Sequence, residues 1–157
     1  MIKPIVLTLA FAVSALPQAS SDSAKTDVDS YSQKDIAGKT AALDKKGNPF
    51  ASENLKKYSN HYTMLAYRTV TGSAEVHNQE ADFFLIEKGS GTLLEGGKVV
   101  DGKEIKPGEI RGSSITGGKK ISVATGDVIH IPAGVPHQLL ITKGNPVSYF
   151  VIKVTGQ

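Results

Sequence analysis

The stretch GDVIHIPAGVPH, residues 126–137, decides the fold, because a strand-like apolar run within it ends in a stiff turn. Pro132 has no backbone N–H and therefore ends the strand, and Gly134 allows the chain to turn sharply. The residues that follow bring His137 to the start of another apolar run, HQLLIT. A side chain held on such a corner has few orientations, which suits a metal ligand.

Short apolar runs separated by glycine-containing turns extend to both sides of this stretch. Strands at such close spacing are typical of an all-β sandwich or barrel. No helical pattern interrupts them after Asn60, which argues against alternating β and α units. The segment 101–118, DGKEIKPGEIRGSSITGG, is predicted to be a long loop between strands. The predicted strands are YTMLAYRTV, DFFLIEKG, GTLLEGG, GKKISVATG, DVIHIP, HQLLIT and SYFVIKV.

The N-terminal region has a different character. After Lys3, the run PIVLTLAFAVSAL resembles the apolar part of a secretory signal peptide and is too short to span a bilayer. We predict a signal peptide over residues 1–19, with cleavage after Ala19 favoured over cleavage after Ala15 or Ala24. The alternative, a helix of the fold itself, is disfavoured because the run has no polar face. The chain is therefore expected to be exported, either to a periplasm or out of the cell, and not to span a membrane afterwards.

Residues 20–58 are predicted to form a polar linker and one short helix. Ser32 is followed three residues later by Asp35, as in a helix-capping box, and Gly47 after a lysine pair provides a stop. The β-barrel domain is then predicted to occupy residues 59–157.

Composition excludes several kinds of site. The chain has no cysteine, which rules out disulfides and thiolate metal ligands. The formal net charge is +3, and the lysines are scattered along the chain without an interleaved aromatic platform. This pattern does not predict nucleic-acid binding.

Four side chains are candidates for a metal site. Glu75 and His77 are two residues apart and would face the same way from one strand. Asp82 begins the next apolar run, and His137 comes from the turn described above. Two imidazoles and two carboxylates on a β scaffold provide the nitrogen and oxygen ligands that a divalent first-row metal prefers.

These two segments resemble the two motifs of the cupins, a superfamily of small β-barrels. The second cupin motif is glycine, five residues, proline, one residue, glycine, two residues and histidine. Gly126, Pro132, Gly134 and His137 match it in full. Ile141 stands where an asparagine often follows.

The first cupin motif is matched in part. Glu75 stands where the first of two histidines is expected, and His77 matches the second. Asp82 replaces the usual glutamate, Gly89 matches the closing glycine, and Thr69 takes the place of the opening one. The resemblance covers residues 60–155.

The resemblance implies one divalent ion, with two carboxylates favouring zinc, manganese or iron without deciding among them. In a rival register His77 and Gln79 would be the inward-facing pair. A metal-free alternative also stays open, in which the same residues form a hydrogen-bonded polar cluster. His130 is expected to be a buried or interface histidine.

Three further side chains are candidates for binding a small-molecule ligand. Arg111, one of only two arginines, either pairs with Glu109 to order the predicted loop or grips an anion at the mouth of the barrel. Tyr149 and Lys153, on the last strand, could face the pocket. The other arginine, Arg68, has two equally open roles: it could contact a ligand, or it could cap the edge of a strand.

Three functions are compatible with these features. The resemblance implies a metal-dependent enzyme, a dioxygenase or an isomerase acting on a small organic acid or sugar. The second function is a binding protein that captures such a ligand without converting it. The third is a metal-free structural barrel that acts through dimerisation, and a homodimer is expected because cupins commonly pair through their sheet edges.

Overall fold

The computed structural model describes residues 28–157, and residues 31–157 form one compact unit. The predicted signal peptide, residues 1–19, and the first part of the linker therefore lie outside the described residues. Within the described part of the chain, no helix combines the length and the apolar character needed to cross a membrane.

One helix and thirteen strands make up this unit. The helix α1 spans Gln33–Asp44 and precedes all of the strands. The strands are β1 (Phe50–Lys57), β2 (His61–Arg68), β3 (Ala74–His77), β4 (Glu80–Lys88), β5 (Ser90–Glu95), β6 (Lys98–Val100), β7 (Lys103–Lys106), β8 (Glu109–Gly112), β9 (Ser114–Thr116), β10 (Lys119–Ala124), β11 (Val128–Ile131), β12 (His137–Leu140) and β13 (Val147–Thr155).

The strands form two antiparallel sheets packed as a jelly roll, which confirms the predicted all-β barrel. The first sheet has the order β1-β2-β13-β4-β11, and the second has the order β10-β5-β12-β3-β8-β7. A two-stranded ribbon joins β6 to β9. Apolar side chains from both sheets meet in the main core, among them Phe84, Ile86, Leu93, Leu139 and Val151. The core closes one part of the barrel and leaves the polar end around β3 and β8 for a site.

The helix covers the outer face of the first sheet. Its Ile36 and Leu43 pack with Leu65 and Tyr67 of β2, whose alternate residues point into the barrel. The capping box is present, because the Ser32 hydroxyl accepts from the Asp35 N–H and the Asp35 carboxylate accepts from the Ser32 N–H. The predicted N-terminal helix is thereby confirmed.

The structure departs from the sequence prediction in two places. The first sheet begins at Phe50, so the boundary predicted at residue 59 falls after β1. The segment 101–118, predicted to be a loop, contains β7, β8 and β9. β1 and β7 are edge strands, and every residue of β7 is exposed, so neither carries a strong apolar alternation. β8 and β9 span only four and three residues, which is too short to show a period.

Two glycines of the predicted motifs have different structural roles. Gly89 has a φ of 91°, and a Cβ atom there would lie 2.2 Å from the carbonyl oxygen of Pro146. Gly126 has a similar φ of 94°, but a Cβ atom there would meet nothing within 4 Å. Gly89 is therefore required by its backbone conformation and by a close approach of two chain segments, and Gly126 by conformation alone.

This difference predicts unequal costs for the same substitution. Gly126→Ala should destabilise the protein by about 1–3 kcal/mol, because only the backbone conformation is strained. Gly89→Ala should cost more, because the strand must also move away from Pro146. Urea unfolding of the two variants measures the difference, and equal losses would contradict the close approach described here.

Candidate metal centre

Strand register brings three of the four predicted ligands together on the second sheet. His137 of β12 lies directly opposite Glu75 of β3, and Arg111 of β8 lies opposite Glu75 on its other side. His77, two residues along β3, lies opposite Glu109 of β8. Residues opposite each other on antiparallel strands share a face with their Cβ atoms about 5 Å apart. Glu75, His77 and His137 consequently converge on one point.

The fourth predicted ligand comes from the first sheet. Asp82 of β4 points into the barrel, like Phe84 and Ile86 farther along the strand, and is 1% exposed. Lys153 of β13 lies directly opposite Asp82 in the register of the two strands. The centre is thus built between the sheets, with ligands from both.

The ligand atoms lie at distances that suit a shared ion. Glu75 Oε2 lies 3.4 Å from His77 Nε2 and 3.8 Å from His137 Nε2. Asp82 Oδ2 lies 3.6 Å from each of the same two nitrogens. Two ligands bound at about 2.1 Å to a tetrahedral ion would lie about 3.4 Å apart. Glu75, His77 and His137 therefore form a cluster that could hold a divalent metal, and Asp82 lies beside both of its imidazoles.

The Nε2 atoms of His77 and His137 lie close to the carboxylates and form no hydrogen bond within the protein. His77 Nε2 and His137 Nε2 are buried and have no hydrogen-bond partner. His137 Nδ1 lies 3.0 Å from the Val135 carbonyl oxygen, to which it can donate only if it carries the proton. Nε2 then keeps its lone pair toward the centre, as a metal ligand requires. A buried nitrogen without a partner is costly, so both atoms are suited to bind a metal ion.

Each carboxylate is held by cations through one oxygen and turns the other toward the imidazoles. Arg111 Nη1 contacts Glu75 Oε1, and Arg68 Nη2 lies 3.3 Å from the same oxygen. Lys153 Nζ donates to Asp82 Oδ1 at 2.5 Å. Because these cations fix the carboxylates in place, the second oxygen of each has a defined position.

The charges around the centre keep the Glu75 carboxylate ionised. Burial by itself raises the pKa of Glu75, but His77, Arg111, His137 and Arg68 together hold this pKa at about 2. Burial lowers the pKa of His137, which favours the neutral imidazole. A carboxylate and a neutral imidazole are the protonation states that bind metals.

The sequence indicated the four candidate ligands but not all of the side chains that hold these ligands in position. Arg68 forms a hydrogen bond from its Nε to the Tyr149 hydroxyl at 2.7 Å and thereby links this buried tyrosine to Glu75. Glu109 Oε2 lies 4.0 Å from His77 Nδ1 and is held by Lys106 at 2.7 Å. Glu109 is a third carboxylate near the imidazoles, and only the pairing of β3 with β8 reveals it, because that pairing joins residues far apart in the sequence.

The three side chains that the sequence suggested for binding a small molecule differ in how they lie relative to the centre. Arg111 pairs with Glu109, which was one of the two roles predicted for it, and it also contacts Glu75 at the centre. Lys153 is occupied with Asp82 and lines the barrel cavity. Tyr149 is buried and its hydroxyl accepts a hydrogen bond from Arg68, so it helps to position the arginine that contacts Glu75.

Two alternatives from the sequence are not placed at the centre. Gln79, the inward residue of the rival register, is exposed in the turn after β3. His130, predicted to be buried or at an interface, is not buried: it is exposed on β11 and stacks on Phe83 with ring centroids 4.3 Å apart. Its place at an interface stays a prediction.

A cavity of about 530 Å³ leads to the centre, and His77, Arg111 and Lys153 are among its lining residues. A smaller cavity of about 90 Å³ lies deeper in the barrel, where Glu75 and Asp82 face Phe84 and Tyr149. The centre is therefore accessible to a small molecule from one side and backed by aromatic rings on the other.

Comparison with solved structures shows the fold. A Bacillus halodurans protein, BH2720, matches with a TM-score of 0.52 at 20% identity, over 73% of this chain and 76% of that one. The Cnp3 cupin domain of Schizosaccharomyces pombe matches with a TM-score of 0.53 at 9% identity, over 69% and 66%. A protein described as a predicted oxalate decarboxylase of Thermotoga maritima matches with a TM-score of 0.50 at 12% identity, over 68% and 80%.

The chain spans less than two thirds of several structures that it matches, and as little as 47% of one. No protein-family model matches the sequence, and no curated protein matches it. The likeness is therefore one of fold.

The buried ion pair predicts a large effect on stability. Lys153→Met removes the cation from Asp82, whose side chain is 2% exposed, and leaves a buried carboxylate uncompensated. We expect a loss of about 3–5 kcal/mol in metal-free protein. Lys39→Met is the matched control, because Lys39 and Glu53 form a pair of the same length with side chains 34% and 39% exposed. That variant should lose much less stability, because solvent screens an exposed ion pair. Urea unfolding in the presence of a chelator measures both, and similar losses would contradict the role given to Lys153.

Proposed function

We propose that this chain, which has the cupin fold, is an exported protein that binds one divalent metal ion and a small molecule beside it inside the barrel. The observation that carries the proposal is the convergence of two buried, unpartnered imidazole nitrogens on two carboxylate oxygens. Glu75, His77, Asp82 and His137 would hold the ion. Two carboxylates among the ligands are compatible with zinc, manganese or iron.

The protein's own residues would set the conditions for chemistry at the centre. A bound ion supplies Lewis acidity toward a carbonyl or carboxylate group and, if it is iron, reactivity toward dioxygen. Arg68 and Arg111 orient Glu75, and Lys153 orients Asp82. Phe84 and Tyr149 form an aromatic wall with ring centroids 5.0 Å apart on the deep side of the centre. A dioxygenase or an isomerase would use these features.

One observation favours a second function, a binding protein that does not convert its ligand. The carboxylates of Glu75, Asp82 and Glu109 are each ion-paired, so none of these three is free to act as a general base. Oxygen consumption and product analysis, with iron- or manganese-loaded protein and a panel of small acids and sugars, would separate the enzyme from the binding protein.

The third function, association of barrels, is supported by the outer face of the first sheet. β11 is an edge strand, and Leu85 and Val128 lie opposite each other beside that edge with 38% and 69% exposure. A second copy that pairs through this edge would cover them. Light scattering of purified protein tests the homodimer, and mass spectrometry of the mature N-terminus from its native host tests export and cleavage.

Metal content provides the direct test of the proposal. Protein purified without chelators should contain about one divalent ion per chain, which survives dialysis because four ligands hold it. His137→Ala should lose this ion and stay folded, because it removes one of the two nitrogen ligands. Glu75→Gln should weaken binding less, because one oxygen donor remains.

The matched control is His130→Ala, which removes an exposed histidine outside the centre and should leave the metal content unchanged. Elemental analysis of all four proteins gives the result. Full metal content in His137→Ala would show that the ligand set is wrong.

A further inference from the structure

The two candidate imidazole ligands differ in what lies on the side of the ring away from the centre. His137 Nδ1 lies 3.0 Å from the Val135 carbonyl oxygen, which can accept its proton. His77 Nδ1 is buried and has no hydrogen-bond partner. A histidine that binds a metal through Nε2 carries its proton on Nδ1, and that proton needs an acceptor. The backbone provides this acceptor for His137, and another group must provide it for His77.

Glu109 faces the unpartnered nitrogen. It lies directly opposite His77 in the register of β3 and β8, and its Oε2 lies 4.0 Å from His77 Nδ1. Both residues are buried, so bulk water does not take the place of a protein acceptor. The separation is about 1 Å longer than a hydrogen bond, so a small movement of either side chain would form one.

We propose that Glu109 is a positioning residue of the metal centre, whose carboxylate accepts the Nδ1 proton of His77 when His77 binds the ion. The inference rests on the proposed function, because it assigns a role beside that same site. Glu109 itself does not touch the ion. It fixes the tautomer and the plane of the imidazole, so that the Nε2 lone pair stays directed toward the carboxylates of Glu75 and Asp82.

Two cations hold Glu109 in place for this role. Arg111 Nε donates to Glu109 Oε1 at 2.6 Å, and Lys106 Nζ lies 2.7 Å from Oε2. Burial by itself raises the pKa of Glu109, but Lys106 and Arg111 hold this pKa below its usual range. The carboxylate is therefore ionised, and a charged acceptor forms a stronger hydrogen bond than a neutral one. Each carboxylate oxygen has two lone pairs, so the contact of Oε2 with Lys106 leaves room for His77.

Strand β8 thereby positions both of the proposed ligands that β3 contributes. Arg111 contacts Glu75, and Glu109 faces His77. Arg111 also joins the two acids, because it contacts Glu75 and Glu109 at once. The alternate residues of β8 that point into the barrel are thus matched, one by one, to the ligands on the neighbouring strand.

Zinc affinity and histidine NMR test the role of Glu109. Glu109→Ala removes the acceptor and should weaken zinc binding about 10- to 100-fold. Glu109→Gln keeps an uncharged acceptor and should weaken it less. Long-range proton–nitrogen correlation spectra of the zinc-loaded protein distinguish this role from a merely structural one. The Nδ1 signal of His77 should move in both variants, while that of His137 should stay, because the Val135 carbonyl still accepts from it.

Glu104→Gln is the matched control. Glu104 lies on the exposed strand β7 and accepts from the Gly108 N–H at 2.8 Å, so it belongs to the same pair of strands as Glu109. The substitution makes the same change of charge as Glu109→Gln. It should leave both the zinc affinity and the His77 signal unchanged.

The outcomes separate this inference from the proposed function. If the unsubstituted protein binds no zinc, the proposed metal site is wrong and the role of Glu109 falls with it. If that protein binds zinc and Glu109→Ala has the same affinity, the metal site stands and Glu109 does not position His77. A loss of affinity without movement of the His77 signal would overturn the inference as well. Should Glu109→Ala fail to fold, as judged by circular dichroism, Glu109→Gln decides by the same two measurements.

Discussion

The candidate centre depends on one electrostatic arrangement: each buried carboxylate is fixed by cations through one oxygen and presents its other oxygen to the imidazoles. Without Arg111 and Arg68, Glu75 would be a buried charge with no partner, and without Lys153 the same would hold for Asp82. The cations come from β2, β8 and β13, so the polar core is held by strands that contribute no proposed ligand. The same three cations therefore position the proposed metal ligands and stabilise the fold.

Antiparallel register is the means by which distant residues reach this arrangement. His137 and Glu75 are far apart in sequence, yet they lie opposite each other on adjacent strands. Asp82 and Lys153 are related in the same way on the facing sheet. The apolar core fixes that register, because a slip of one residue would turn every inward side chain outward. Packing by Phe84 and its neighbours thus sets the positions of the polar groups.

Much of the fold could be predicted from the sequence, because the inner strands have strong apolar runs and the turn before His137 is specific. Spacing also placed Glu75 and His77 on one face of a strand. The side chains that hold them in place could not be predicted, since Arg68 reaches Glu75 from the facing sheet and Glu109 reaches His77 through the pairing of β3 with β8. β7 was missed for a related reason: a strand with no buried face leaves no periodic signal. Local pattern predicts elements, whereas long-range pairing decides which charged groups meet.

The turn between β3 and β4 has a consequence for how the chain can vary in length. Only residues 78 and 79 separate the two strands, which belong to different sheets. The turn is tied at both residues, because the Asn78 N–H donates to the Gly108 carbonyl and the Gln79 carbonyl accepts from the Gly156 N–H. One extra residue here would displace Asp82 by about 3.4 Å along its strand and reverse its face. Insertions and deletions should therefore be excluded from this crossing.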